Sequence, residues 1–159
     1  MICFVASPIG EDGSDIRVHA DKFLDYIVIP ACKDTEYEVI RPDKLNTPEI
    51  ITEETLEYLK SAELVVADLT GFNPNVFYEA GYRQALGLPL IFFRDEAFDK
   101  KGMLPFDIRA YRVFPYTTDY GDVLEAREKL QSAINSLKDF EPPLDPVKFL
   151  QILVDEYEQ

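Results

Sequence analysis

Two carboxylates, Asp68 and Glu79, lie within a strand, turn and helix read over residues 64–87. Paired carboxylates beside one crevice are what breaking a glycosidic bond requires. The bond opens through an oxocarbenium-like state, positive at the anomeric carbon. One carboxylate stabilises or attacks that centre while the other handles protons or hydroxyls. The same logic extends to an N-glycosidic bond, from which a base departs. Each residue also has a plainer reading. Asp68 follows four apolar residues, where it either caps a turn or serves as an acid at a crevice. Glu79 precedes Arg83 by one helical turn and can pair with it on a helix surface.

The elements that must position these groups follow from hydrophobic patterning. Apolar strands are expected at residues 2–6, 37–40, 64–67, 88–93 and, more briefly, 112–115. Helices alternate with them. The first is capped by Ser14 and carries Ile16, Ala20, Phe23, Leu24, Ile27 and Val28, with Pro30 near its end. The second opens at Thr47-Pro48 and runs through Ile50, Ile51, Thr55, Leu56 and Leu59. Asn73 and Pro74 suit the cap and first position of the third, which Gly87 can end. A helix follows at 123–137, and residues 95–107 read as irregular, with Lys100-Lys101 as a lid or an exposed loop. Pro142-Pro143 separates domain 1–141 from segment 142–159. Its Val147, Leu150, Leu153, Val154 and Tyr157 suggest an extra C-terminal helix packed on the domain or on a partner subunit. Continuous apolar strands alternating with helices imply an α/β fold. The expectation is a flavodoxin-like (Rossmann-like), doubly wound parallel sheet in the order 2-1-3-4-5.

In that order the crevice lies outside the carboxyl ends of strands one and three. The turns there supply Ser7, Ile9 and Gly10 on one side, and Asp68 and Thr70 on the other. Arg41 and Asp43 follow strand two next door. The helix after strand three starts at the crevice, so Asn75 and Glu79, four residues apart, share a face toward it. Asn75 is a candidate hydrogen-bond partner for a sugar. Arg17, Arg41 and Arg109 are candidates for a phosphate, although surface arginines are usually just solvated. Phe72 and Phe98 could stack on a base or simply pack.

The chain has 159 residues and a net charge of −14, with 30 acidic and 16 basic side chains. That field repels phosphate backbones and anionic lipid, so nucleic acid and membrane are not expected partners. No stretch approaches transmembrane length, and the start lacks a signal-peptide pattern. The two cysteines, Cys3 and Cys32, read as buried thiols in a reducing, cytoplasmic setting. The lone histidine, His19, has no neighbouring ligands in sequence, so neither a metal nor a cofactor is expected.

The run Ala67-Asp-Leu-Thr-Gly-Phe-Asn-Pro-Asn-Val-Phe-Tyr-Glu-Ala-Gly-Tyr-Arg-Gln-Ala-Leu-Gly-Leu-Pro-Leu-Ile91 resembles the nucleoside 2-deoxyribosyltransferase-like superfamily, above all its TIR-like, nucleotide-binding branch. Phe4-Val-Ala-Ser-Pro8, Arg41-Pro-Asp43 and Leu104-Pro-Phe-Asp-Ile-Arg109 are also similar. The resemblance covers most of residues 2–116. It implies a crevice for a nucleoside, a nucleotide or an NAD-like molecule. It matches Glu79 to the helix glutamate that forms a glycosyl-enzyme, and Asp68 to an aspartate that contacts substrate. The chain departs from the transferase pattern by lacking a tyrosine near Phe4 and by carrying Asn73-Pro-Asn75 before the glutamate. The implied activity is an N-glycosidase, either hydrolase or glycosyltransferase. The alternative is a non-catalytic nucleotide-binding signalling module. A homo-oligomer is expected by the same resemblance.

Overall fold

Five strands form one parallel sheet in the order β2-β1-β3-β4-β5, as the alternation of elements implied. They are β1 (Ile2–Ala6), β2 (Glu38–Ile40), β3 (Leu64–Asp68), β4 (Leu90–Arg94) and β5 (Val113–Pro115). This computed structural model describes residues 1–45, 53–99, 102–109 and 111–140. The strands are apolar throughout because both faces of the sheet are covered. Successive side chains point to opposite faces. Cys3, Val5, Leu64, Val66, Ile91 and Phe93 therefore enter one core, with α1 (Asp15–Phe23) and α7 (Tyr120–Ser136). Phe4, Ala6, Val65, Ala67 and Phe92 enter the other, with α3 (Glu53–Ser61) and α4 (Pro74–Ala85).

Ser14 caps α1, its Oγ accepting from the Arg17 N–H at 3.3 Å. The helix continues through a π-type turn (Leu24–Val28) into α2 (Ile29–Cys32), past Pro30. Proline has no N–H to offer the carbonyl four residues earlier, that of Tyr26. Arg127 of α7 donates to that carbonyl instead. One residue thus satisfies the freed group and ties α7 to the π turn.

Several boundaries differ from expectation. β4 starts at Leu90 rather than 88 and includes the buried Arg94. Pro89 has no N–H for the ladder, and only its carbonyl pairs, with Val65 N–H at 3.2 Å. The stretch read as irregular contains two short helices, α5 (Glu96–Asp99) and α6 (Phe106–Arg109). Asp95 Oδ1 accepts from Phe98 N–H at 3.0 Å, which starts α5. α7 begins at Tyr120. The expected Thr47-Pro48 helix start with Ile50 and Ile51, the Lys100-Lys101 loop and segment 142–159 lie outside the described residues. Among the described residues, no helix is long and apolar enough to cross a membrane.

Candidate functional site

The two loops flanking the sheet's winding reversal close on one side chain, Ile16. A Cβ on Gly10 would sit 2.2 Å from Ile16 Cγ2 and 2.6 Å from Ser14 Oγ. A Cβ on Gly71, whose φ is 77°, would sit 3.3 Å from Ile16 Cδ1. Glycine is what lets both loops approach α1. Beside them, at the end of β1, Ser7 is 6% exposed. Among the described residues, its hydroxyl oxygen is the one side-chain polar atom wholly removed from solvent that makes no hydrogen bond. Leaving such a group unpaired costs about 1–3 kcal/mol, which a ligand hydroxyl or amide could recover. Ile9 and Gly10 are half-buried next to it.

Asn73 Oδ1 accepts from Asn75 N–H at 2.9 Å and from Val76 N–H at 3.4 Å, and Pro74 takes the first helical position of α4. Gly87, at φ 65°, ends the helix, its N–H reaching the Gln84 carbonyl at 2.9 Å. The buried face of α4 is Val76, Glu79, Ala80 and Arg83. The surface pair between Glu79 and Arg83 is not formed. Arg83 is fully buried and donates to the carbonyls of Leu59 (2.8 Å), Ala62 (2.7 Å) and Pro89 (3.2 Å). Burial lowers its pKa to about 10. Glu79 is 8% exposed and makes no hydrogen bond or ion pair among the described residues. Burial raises its pKa to about 7. Asn75, one turn earlier, is exposed.

Asp68 takes the capping role rather than an open position at the crevice. It is fully buried, and its Oδ1 accepts from the Thr70 N–H (3.1 Å) and the Thr70 hydroxyl. Its Oδ2 accepts from Tyr116 OH at 2.8 Å. Tyr116 OH lies 3.5 Å from His19 Nδ1, and His19 Nε2 lies 3.0 Å from Asp95 Oδ2. Asp95 N–H returns to Thr70 Oγ1 at 2.9 Å, closing a ring of five buried polar side chains. Phe98 covers the ring, 4.1 Å from the His19 imidazole, so it packs on protein. Burial raises the Asp68 pKa, and the bonds from Thr70 and Tyr116 only partly oppose this. Burial, then the Asp68 charge, pushes the Tyr116 phenol well above its ordinary value.

Sequence reading missed His19, Asp95 and Tyr116 as partners of Asp68. Two signals pointed to them. Asp95 comes immediately after β4, as Asp68 comes at the end of β3, and His19 falls on the apolar stripe between Ile16 and Phe23. The ring predicts that Tyr116→Phe destabilises the fold by about 1–3 kcal/mol near pH 8. The loss should shrink near pH 4, because a raised folded-state pKa means that a protonated Asp68 needs less from the phenol. Urea unfolding at both pH values measures this, and equal losses would contradict the ring's role.

The arginines divide into two groups. Arg41 is 1% exposed and donates to Asp43 (2.6 and 2.9 Å), to the Ala20 carbonyl (3.0 Å) and to Asp21. Arg17 pairs with Asp12 (2.9 Å), Asp21 (3.1 Å) and Asp43 (2.9 Å). Burial pushes Asp21 up, but Arg41 and Arg17 more than offset it, so its carboxyl ends below the ordinary range. Two guanidinium groups thus face three carboxylates. Arg17 and Arg41, the sequence's candidates for a phosphate, therefore already face carboxylates of the protein itself. Asp43, a candidate substrate contact, is the anion that joins them. Arg109 stands apart on α6, its guanidinium 5.6 Å from the Phe106 ring, in a cleft of about 460 Å³ shared with Arg94. Among the described residues, no group of His, Cys, Asp and Glu could hold a metal ion.

No protein-family model matches the sequence, and no curated protein matches it. Solved structures match it in fold. A 2-deoxyribosyltransferase from Leishmania mexicana superposes with a TM-score of 0.51 at 14% identity, covering 80% of this chain and 97% of that one. A 2-deoxyribosyltransferase from Bacillus psychrosaccharolyticus gives 0.54 at 18% identity, covering 77% and 90%. Neither likeness supports the TIR-like branch in particular. With its 2-1-3-4-5 parallel sheet, the chain has the flavodoxin-like fold of the 2-deoxyribosyltransferases.

Proposed function

We propose that the protein cleaves the N-glycosidic bond of a nucleoside or a related molecule, with Glu79 as nucleophile. The observation that carries this reading is a buried carboxylate with no partner, on a helix that starts at the sheet's winding reversal. A structural carboxylate is normally paired or exposed. One kept buried and free is suited to a cationic transition state, whose charge would meet it in a low dielectric. In the proposed step, a Glu79 oxygen bonds to the anomeric carbon as the carbon–nitrogen bond breaks. The bond's electron pair leaves with the base, which takes up a proton. Water or a second base then displaces the glutamate. Asn75 and the Ser7 hydroxyl would hold the sugar, with Ile9 and Gly10 lining the pocket. Asp68 and Thr70 would fix the turn that aims α4 rather than touch substrate.

The burial of Asp68 favours a second reading, a non-catalytic nucleotide-binding module, because the reaction's usual second carboxylate is out of reach. Incubation with nucleosides, nucleotides and NAD separates the two. The enzyme reading expects free base from at least one of them. Ligand-dependent thermal stabilisation with no base released from any would leave only the binding module. Water or a second base as the acceptor, a nucleotide or NAD-like molecule as the substrate, assembly into a homo-oligomer and docking of segment 142–159 on the domain or on a partner subunit are open parts of the same proposal. The first two are read by product analysis, the last two by mass in solution with and without that segment.

A further inference from the structure

We propose that segment 142–159 folds back into the groove between β5 and the end of α7 of its own chain. This rests on the docking of that segment read above and gives it a place. The groove follows from how the sheet is covered. β5 is the last strand in the order, so its outer edge pairs with no strand among the described residues. On one face, Leu130 and Ile134 of α7 close on Ile91 and Phe93 in the core. The residues beside them do not close. Leu90, Phe114, Ala133, Leu137 and Phe140 stay half-buried and line a groove of about 500 Å³. A parallel sheet is stable when both faces are covered, and the described elements leave this strip open.

Three observations choose the occupant. Phe140 itself lines the groove, so the segment starts at its mouth two residues later. A tethered segment meets the groove at a high effective concentration, which a second copy does not. Val147, Leu150, Leu153, Val154 and Tyr157 form one apolar side at helical spacing, which suits the apolar floor. Charge points the same way. The charged lining of the groove is Arg112 and Lys129, with no carboxylate. The segment carries Asp145, Asp155, Glu156 and Glu158 against Lys148. Lys129 is already held by Glu125 at 2.6 Å. Arg112 is exposed and makes no ion pair among the described residues, so it is the anchor for the segment's acidic side. In a chain of net charge −14, a basic rim is where an acidic segment is least repelled.

A nitroxide on Ser136→Cys, in the groove lining, tests this in the isotope-labelled full chain, since Cys3 and Cys32 are buried. It should broaden the amide signals of residues 147–157. The same label on Lys60→Cys, exposed on α3 across the sheet, should leave them sharp. No broadening from Ser136, or equal broadening from both, would overturn the proposal. Isotope-labelled chains without nitroxide, mixed with nitroxide-bearing chains without isotope, should also stay sharp. Broadening there would put the segment on a partner subunit and overturn the placement. Leu150→Asp should speed protease cleavage within the segment about 10-fold or more. Arg112→Glu should speed it about threefold, and less at high salt. Cleavage that neither variant changes would count against the groove equally. Base release enters none of these readouts. A failure here leaves the glycosidase reading standing, and a failure of that reading leaves this one.

Discussion

Glu79→Gln is expected to abolish base release while making the protein more stable at alkaline pH. The amide is isosteric but cannot attack the anomeric carbon or oppose its charge. A loss of about a thousandfold or more follows for a nucleophile removed from an otherwise intact site. The stability effect has the opposite sign. The carboxyl has an ordinary value of 4.5, and burial raises it to about 7 in the folded protein. A group raised in this way adds stability that is full below the unfolded value and is lost as pH rises through the folded one. From about pH 5 to 7 the ionised carboxylate therefore destabilises the fold, by an amount on the order of 3 kcal/mol at its limit. Glutamine removes that burden, so the variant's melting temperature should exceed the parent's near pH 8 and equal it near pH 4.5. The parent's rate should rise along an acid limb centred near 7, as the nucleophile ionises. Undiminished turnover by the variant would end Glu79's catalytic assignment. A pH-independent stability difference would show that the carboxylate is not held unpaired in the fold.

Arg83→Met should cost about 3–5 kcal/mol, the largest stability loss expected of any single side chain on α4. Methionine follows the shape of the arginine stem but removes a donor from three carbonyls, those of Leu59, Ala62 and Pro89, of which the last keeps the Val65 N–H. These carbonyls belong to the end of α3, the connection into β3 and the entry to β4. Arg83 thus clamps the far end of the helix that carries Glu79, as Asn73 and the Asp68 ring fix its near end. Lysine retains a charge but not a fork, and should recover only part of the loss. Denaturant midpoints read both variants. A cost below about 1 kcal/mol would mean that these carbonyls find water and that the clamp is dispensable.

Much of the architecture was legible from local rules. Ser14, Asn73-Pro74 and Gly87 mark helix ends because capping acts over a few residues. Apolar continuity in 64–67 implied a strand covered on both faces, and all of β3 is buried. Arg94 and the short helices α5 and α6 were not legible, because a charged strand end breaks the apolar pattern and a single turn is too short to show a helical period.

Glu79 shows where the boundary lies. By itself the sequence determined that a glutamate stands on a capped helix beginning at the crevice of a doubly wound sheet. It determined equally that an arginine follows one turn later, and spacing alone makes those two a surface pair. Only the tertiary structure decided between pair and free carboxylate. Two carbonyls of the α3 end, with that of Pro89, draw Arg83 into the interior, and burial then leaves Glu79 without a counter-charge. The same holds for Asp68, whose open or capped state depends on Tyr116, His19 and Asp95 from three other elements. Periodicity reports which face a residue occupies. Whether its charge is matched there is settled by residues that chain order cannot bring together.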